Sequence, residues 1–134
     1  MASAFYLLDT NTASFIIRGN ARLLERLQAQ PVAAIGISAV TEAELLYGLA
    51  RKPAAAALAA AVAAFLRHVQ ALPWDSEAAA RYGVLRAALE AAGTPLGGMD
   101  TLIAAHAMAT DATLVTNDQA FRRVPGLGVE DWTA

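Results

Sequence analysis

Apolar residues in this chain fall either into short unbroken runs or into helical spacing, and the two patterns alternate. Phe5-Tyr6-Leu7-Leu8, Val32-Ala33-Ala34-Ile35-Gly36-Ile37, Val69-Gln70-Ala71-Leu72, Thr113-Leu114-Val115-Thr116 and residues 128–132 read as buried strands. Between them, residues 12–18 and 20–30 read as two short helices divided at Gly19-Asn20, with Leu23, Leu24 and Leu27 in helical spacing and Pro31 as the stop. Ser38 is placed to cap a helix over Ala39–Ala50, which Arg51-Lys52-Pro53 ends. An alanine-rich helix covers residues 54–68. A longer one follows Pro73-Trp74-Asp75-Ser76, runs to Ala92 and stops at Gly93. After the tight loop at 94–98, Met99-Asp100 opens a helix to about Thr110, and a short turn holding Phe121 precedes the last strand.

Strands that alternate with helices through short loops predict an α/β fold, a parallel sheet of four or five strands covered on both faces. The 134 residues suffice for one domain, taken as 1–134.

Composition narrows the picture. Hydrophobic residues make up 57% and charged ones 16%, which places the chain among globular proteins. Without cysteine, no disulfide or thiolate metal site is available, which fits a reducing cytoplasm. Met1-Ala2-Ser3-Ala4 lacks the basic and apolar regions of a secretory leader. The apolar stretch at 54–66 is shorter than the roughly 20 residues of a membrane span and reads as a buried soluble helix, so no membrane association is expected. The net charge of −2 gives no general basic surplus for phosphate; nucleic acid would need local arginines and bound cations.

Four acidic residues occupy positions that a parallel sheet would gather at one edge. Asp9 and Asp118 each follow a strand, Glu44 lies on the helix after the second strand, and Asp100 stands at a helix start. Such carboxylates repel unless protonated or bridged by cations, and oxygen-only donors favour Mg²⁺ or Mn²⁺ over zinc. A site of that kind suits phosphodiester cleavage by an activated water. No G-x-S-x-G elbow, P-loop or HExxH competes with it. Each acid also has a plainer role: Asp9, Asp100 and Asp118 as caps, and Thr41-x-x-Glu44 as a capping box. The helical wheel puts Val40, Ala43, Leu46, Tyr47 and Ala50 on an apolar face with Glu42 and Glu44 at its two edges, so periodicity leaves the two glutamates undecided.

Four motifs in order carry a family resemblance. They are Leu8-Asp9-Thr10-Asn11, Ser38-x-Val40-Thr41-x-x-Glu44-Leu45-x-x-Gly48, Gly98-x-Asp100-x-x-Ile103-Ala104-Ala105-x-Ala107 and Leu114-Val115-Thr116-Asn117-Asp118-x-x-Phe121. Together they resemble the PIN-domain ribonucleases, and among these the VapC toxins of toxin–antitoxin systems. The resemblance implies a three-layer α/β/α fold and an endoribonuclease dependent on Mg²⁺ or Mn²⁺. It also implies an RNA substrate, a cognate VapB-like antitoxin whose tail enters the site, and a homodimer. Matching the motifs makes Asp9, Glu44, Asp100 and Asp118 the catalytic quartet, prefers Glu44 to Glu42, and assigns the metal to Asp9, Asp100 and Asp118. Thr116 matches a hydroxyl position beside the site, and Asn11 is a further supporting candidate.

Among the remaining residues, His106 reads as a packing histidine, Trp74 and Trp132 as packing residues, and Tyr47 and Tyr82 as core. Arg18, Arg22 and Arg26 form a basic stripe available to RNA, and Arg122 and Arg123 follow Asp118 closely enough to reach a phosphate. Two other functions compete. One is a partner-binding module without catalysis, whose acidic pocket receives an arginine. The other is a phosphatase of the haloacid-dehalogenase type, which expects a second Asp where this chain has Asn11.

Overall fold

Each strand run becomes a strand of one parallel sheet. The computed structural model describes residues 4–134, so Met1-Ala2-Ser3 and the reading of a leader there lie outside the described residues. The strands are β1 (Tyr6–Leu8), β2 (Ile35–Ser38), β3 (Gln70–Leu72), β4 (Thr113–Val115) and β5 (Val129–Glu130), in the order β3-β2-β1-β4-β5. The helices are α1 (Thr10–Ile17), α2 (Ala21–Gln28), α3 (Ala39–Ala50), α4 (Ala56–His68), α5 (Ser76–Ala91) and α6 (Gly98–Ala109).

Alternation along the strands divides the core in two. Leu7 and Leu114 face Leu85, Leu89 and Ile103 of α5 and α6. Leu8, Ile35, Ile37 and Val115 face Ala13, Ile16, Leu23, Val62 and Phe65 of α1, α2 and α4. The three layers expected of the fold follow from this two-sided burial. Helix α3 feeds both sides, with Leu45 in one core and Val40 against the other.

Register determines where the chemistry lies. Leu8 is level with Ile37 on one side and Val115 on the other. The residues just beyond them, Asp9, Ser38 and Thr116, therefore share the carboxyl edge of the sheet. Gly36 suits this register, because a Cβ there would meet Phe5 Cζ at 2.8 Å, displacing that ring, and the Gln70 carbonyl at 3.1 Å.

Three expectations are corrected. Val32–Ala34 form a 3₁₀ turn after Pro31, and the strand begins only at Ile35, the first buried side chain of that run. The alanine-rich helix α4 is half-buried rather than buried, because Val62 and Phe65 anchor it while Ala56, Ala57, Ala59, Ala60 and Ala63 face solvent. No helix among the described residues is long and apolar enough to cross a membrane.

The third correction concerns α3, which turns opposite to its apolar stripe. Thr41 is fully buried with Leu45, whereas Leu46 and Tyr47 are 48% and 63% exposed, so Tyr47 is not core. The inward face mixes apolar Val40, Leu45 and Leu49 with Thr41, which serves the sheet edge described next. Tyr82, by contrast, does pack on the α5–α6 core, edge-to-face with Trp74.

Candidate active site

Asp9 sits where β1 stops, and it is only 3% exposed. Its backbone N–H donates to the Val115 carbonyl at 3.1 Å, and its Oδ1 accepts the Thr12 N–H at 2.8 Å, capping α1. Burial raises its pKa above the ordinary carboxylate value; the Thr116 and Thr12 hydrogen bonds oppose the rise, and the negative charge of Asp118 adds to it.

Asp118 begins the 3₁₀ turn Gln119–Arg123. Its Oδ1 accepts the Ala120 N–H at 2.9 Å, while its own N–H donates to Thr116 Oγ1 at 3.0 Å. The buried Thr116 hydroxyl thus touches both strand-end acids. The capping roles of Asp9 and Asp118 are real and coexist with a site, because each commits Oδ1 to the backbone and has a second oxygen.

Asp100 lies in the first turn of α6, behind the Gly97 N-cap, and makes no capping bond itself. Burial raises its pKa first, followed by the negative charges of Asp118, Asp9 and Glu44. One half-buried carboxylate therefore feels the charge of all three others. It is Glu44, not Glu42, whose charge reaches Asp100. No Lys or Arg forms an ion pair with any of the four among the described residues.

Glu44 is held by hydroxyls. Thr10 Oγ1 donates to Glu44 Oε1 at 2.6 Å and lies 3.1 Å from Thr41 Oγ1. Since the single Thr10 proton goes to the carboxylate, Thr41 is the donor in the second bond. The capping-box reading of Thr41 and Glu44 is overturned: the cap of α3 is Ser38, whose side chain accepts the Val40 N–H, and Thr41 already lies inside the helix. Thr10 and Thr41 are supporting residues that sequence reasoning missed. Their signal was adjacency, Thr10 beside Asp9 and Thr41 one turn before Glu44.

Other candidates lie elsewhere. Asn11 is exposed, with no hydrogen bond to the quartet among the described residues. His106 is buried, its Nδ1 2.7 Å from Ser38 Oγ, so it ties α6 to the cap of α3. Burial lowers its pKa, with Asp75 opposing. The arginine stripe is divided. Arg22 donates to the Ala134 carbonyl, and Arg26 lies over the buried Trp132 ring and 4.0 Å from Glu130. Only Arg18 points elsewhere, over Phe15. Arg122 and Arg123 are exposed.

The donor set is all oxygen and acidic, which suits a hard divalent cation. No three of these side chains form a ready-made cage among the described residues. Mg²⁺ does not require one, since it usually keeps several waters and binds through one or two carboxylates plus substrate phosphate.

Comparison with known proteins shows the family. The PIN domain pattern matches residues 6–127. The chain is 35% identical over 128 residues to the tRNA(fMet)-specific endonuclease VapC of Salmonella typhimurium, covering 95% of this chain and 97% of the relative. It superposes on the DNA-bound VapBC structure from Salmonella typhimurium with a TM-score of 0.90 and 36% identity, covering 97% and 99% of the two chains. The promoter-DNA-bound VapBC2 structure from Rickettsia felis gives a TM-score of 0.89 at 33% identity, covering 96% and 98%.

Proposed function

The chain belongs to the VapC ribonucleases of the PIN-domain family, and on that premise we propose that its acidic edge hydrolyses RNA with the help of Mg²⁺ or Mn²⁺. What supports this reading is that Asp9, Glu44 and Asp118, from three other elements, all act electrostatically on Asp100, with no side-chain ion pair to any of the four among the described residues.

In this reading Asp9, Asp100 and Asp118 would hold the divalent cation, which would favour the ionised forms of Asp9 and Asp100 that burial, and then their acidic neighbours, disfavour. The cation supplies Lewis acidity and lowers the pKa of water. Glu44, its Oε1 fixed by Thr10, orients the attacking water through its other oxygen. Thr116 keeps Asp9 and Asp118 in mutual register. No side-chain nucleophile is used.

The solved relatives are VapBC complexes, which supports a cognate antitoxin as partner and a toxin's role for this chain. The exposed alanines of α4 supply apolar surface for a homodimer, and the absence of cysteine suits a cytoplasmic protein. Because the Salmonella relative is named for tRNA(fMet), initiator tRNA is the first substrate to try.

The test incubates purified protein with initiator tRNA and total RNA in Mn²⁺ or EDTA, beside Asp9→Asn. Discrete fragments that need both metal and Asp9 are expected, with a loss on the order of 10³-fold in the variant. Cleavage surviving in Asp9→Asn, from a preparation free of host nuclease, would contradict the assignment.

A further inference from the structure

A second feature opens directly beside the acidic edge. A cleft of about 260 Å³ runs between α1 and α3, with Thr10 and Glu44 at one end and Arg18, Arg51 and Lys52 at the other. The three cations are exposed, and none pairs with a carboxylate among the described residues. Two are braced on aromatic rings: Arg18 lies 5.9 Å from the Phe15 centroid and Arg51 5.4 Å from that of Tyr47.

Cations at helix C-termini are favoured by the helix dipole alone. The dipole does not explain why α1 and α3 deliver theirs into one cleft, or why that cleft leads to Glu44. Both helices begin at the acidic edge and end at the cations, and α1 separates the two by about 12 Å, at 1.5 Å per residue over eight steps. The chain has a net charge of −2 and ten Lys and Arg in all. Three of the ten stand at this opening, so the attraction for phosphate is local.

We propose that this cleft seats the RNA backbone beside the cleaved bond, with Arg18, Arg51 and Lys52 contacting phosphates of a single strand. The proposal rests on the ribonuclease reading and names how that site holds its substrate. Phosphate contacts position the strand without reading its sequence, and exposed Tyr47 beside Arg51 offers a face for a base.

The test measures binding of a short fluorescein-labelled single-stranded RNA of mixed sequence, by anisotropy in EDTA, across a salt series. The proteins are wild type, Arg18→Ala/Arg51→Ala/Lys52→Ala, and a charge-matched control, Arg67→Ala/Arg81→Ala/Arg86→Ala. All six side chains are exposed, and circular dichroism checks folding. The slope of log Kd against log salt should fall by about 2 in the cleft variant, roughly 0.7 for each of three single-strand contacts, and stay near wild type in the control. Equal slopes in the two variants would overturn the proposal. If the slope holds but binding of a polyglutamate peptide is lost, the occupant is an acidic protein segment and the proposal fails. RNA binding with the expected slope shift, but no cleavage in Mn²⁺, would keep the cleft and remove the nuclease, so the two readings fail separately.

Discussion

Helices α3 and α6 each bring one acid to the sheet edge, and they are built on opposite plans. In α6 nearly every side chain after Asp100 is enclosed: Thr101, Ile103, Ala104, Ala105, His106 and Ala107 are all buried. In α3 only Thr41 and Leu45 are buried, while Leu46 and Tyr47 face outward. Apolar packing therefore fixes Asp100 from behind. Glu44 is fixed by hydrogen bonds, the Thr41–Thr10–Glu44 chain on one side and the Ser38–His106 contact at the cap. Packing is strong and indifferent to direction, whereas hydroxyl contacts are weaker and directional. On the proposed reading, the first plan suits Asp100 as a group that holds a cation, and the second suits Glu44 as one that aims a water.

If that contrast is right, the two helices should fail differently. The largest stability effect is expected from Ile103→Ala, which opens a cavity in the α5–α6 core and should cost about 2–5 kcal/mol in chemical denaturation. Beside the acidic site, Thr10→Val should lower kcat by roughly 10- to 100-fold and melting temperature by a few degrees, since it removes the donor to Glu44 and leaves the buried Thr41 hydroxyl without its acceptor. Thr10→Ser should restore most of the rate. Equal losses in Ser and Val variants would mean that shape, not the hydroxyl, matters.

Electrostatic effects come next in size. The folded-state pKa of Asp100 is raised above its ordinary 3.8, so its ionised form costs the metal-free fold stability at neutral pH. That deficit shrinks as pH falls through the raised value and is gone below 3.8. Asp100→Asn should therefore raise the metal-free melting temperature at neutral pH by roughly 1–3 °C, a modest shift because the group is only half-buried. The gap from wild type should close on acidification, and a gap that widened would reverse the sign of the argument. Smallest of all, Leu46→Ser on the outer face of α3 should change monomer stability by no more than about 0.5 kcal/mol.

The same contrast explains what could be read from the chain beforehand. Strands and α6 were legible because burial on both sides writes itself as apolar runs, Leu7-Leu8 and Leu114-Val115 among them. Position singled out three of the acids, Asp9 and Asp118 just beyond strands and Asp100 at the front of a helix, whereas Glu44 lies in the middle of α3 and was preferred to Glu42 only by the motif match. The facing of α3 was not, because its inward side carries Thr41 and Glu44 for the site while apolar Leu46 and Tyr47 look outward, inverting the usual moment. Thr10 was quoted within a motif, yet its part emerged only from a contact across 34 positions. Val32–Ala34 looked like strand because composition does not register the turn that follows Pro31. The arginine stripe on α2 gave no hint that Trp132 and Ala134 would claim Arg26 and Arg22, since those partners lie more than a hundred residues away.

The central claim is that the quartet acts as one divalent-cation site, and calorimetric titration of Mn²⁺ into wild-type protein, Asp9→Asn and Asp100→Asn tests it most directly. On this claim, saturable binding to wild type is expected, weakening as the pH is lowered because Asp9 and Asp100 hold their protons more tightly than an ordinary carboxylate, with at least about tenfold weaker binding in either variant. Wild-type protein that takes up no Mn²⁺, or variants that bind it as tightly as wild type, would contradict it.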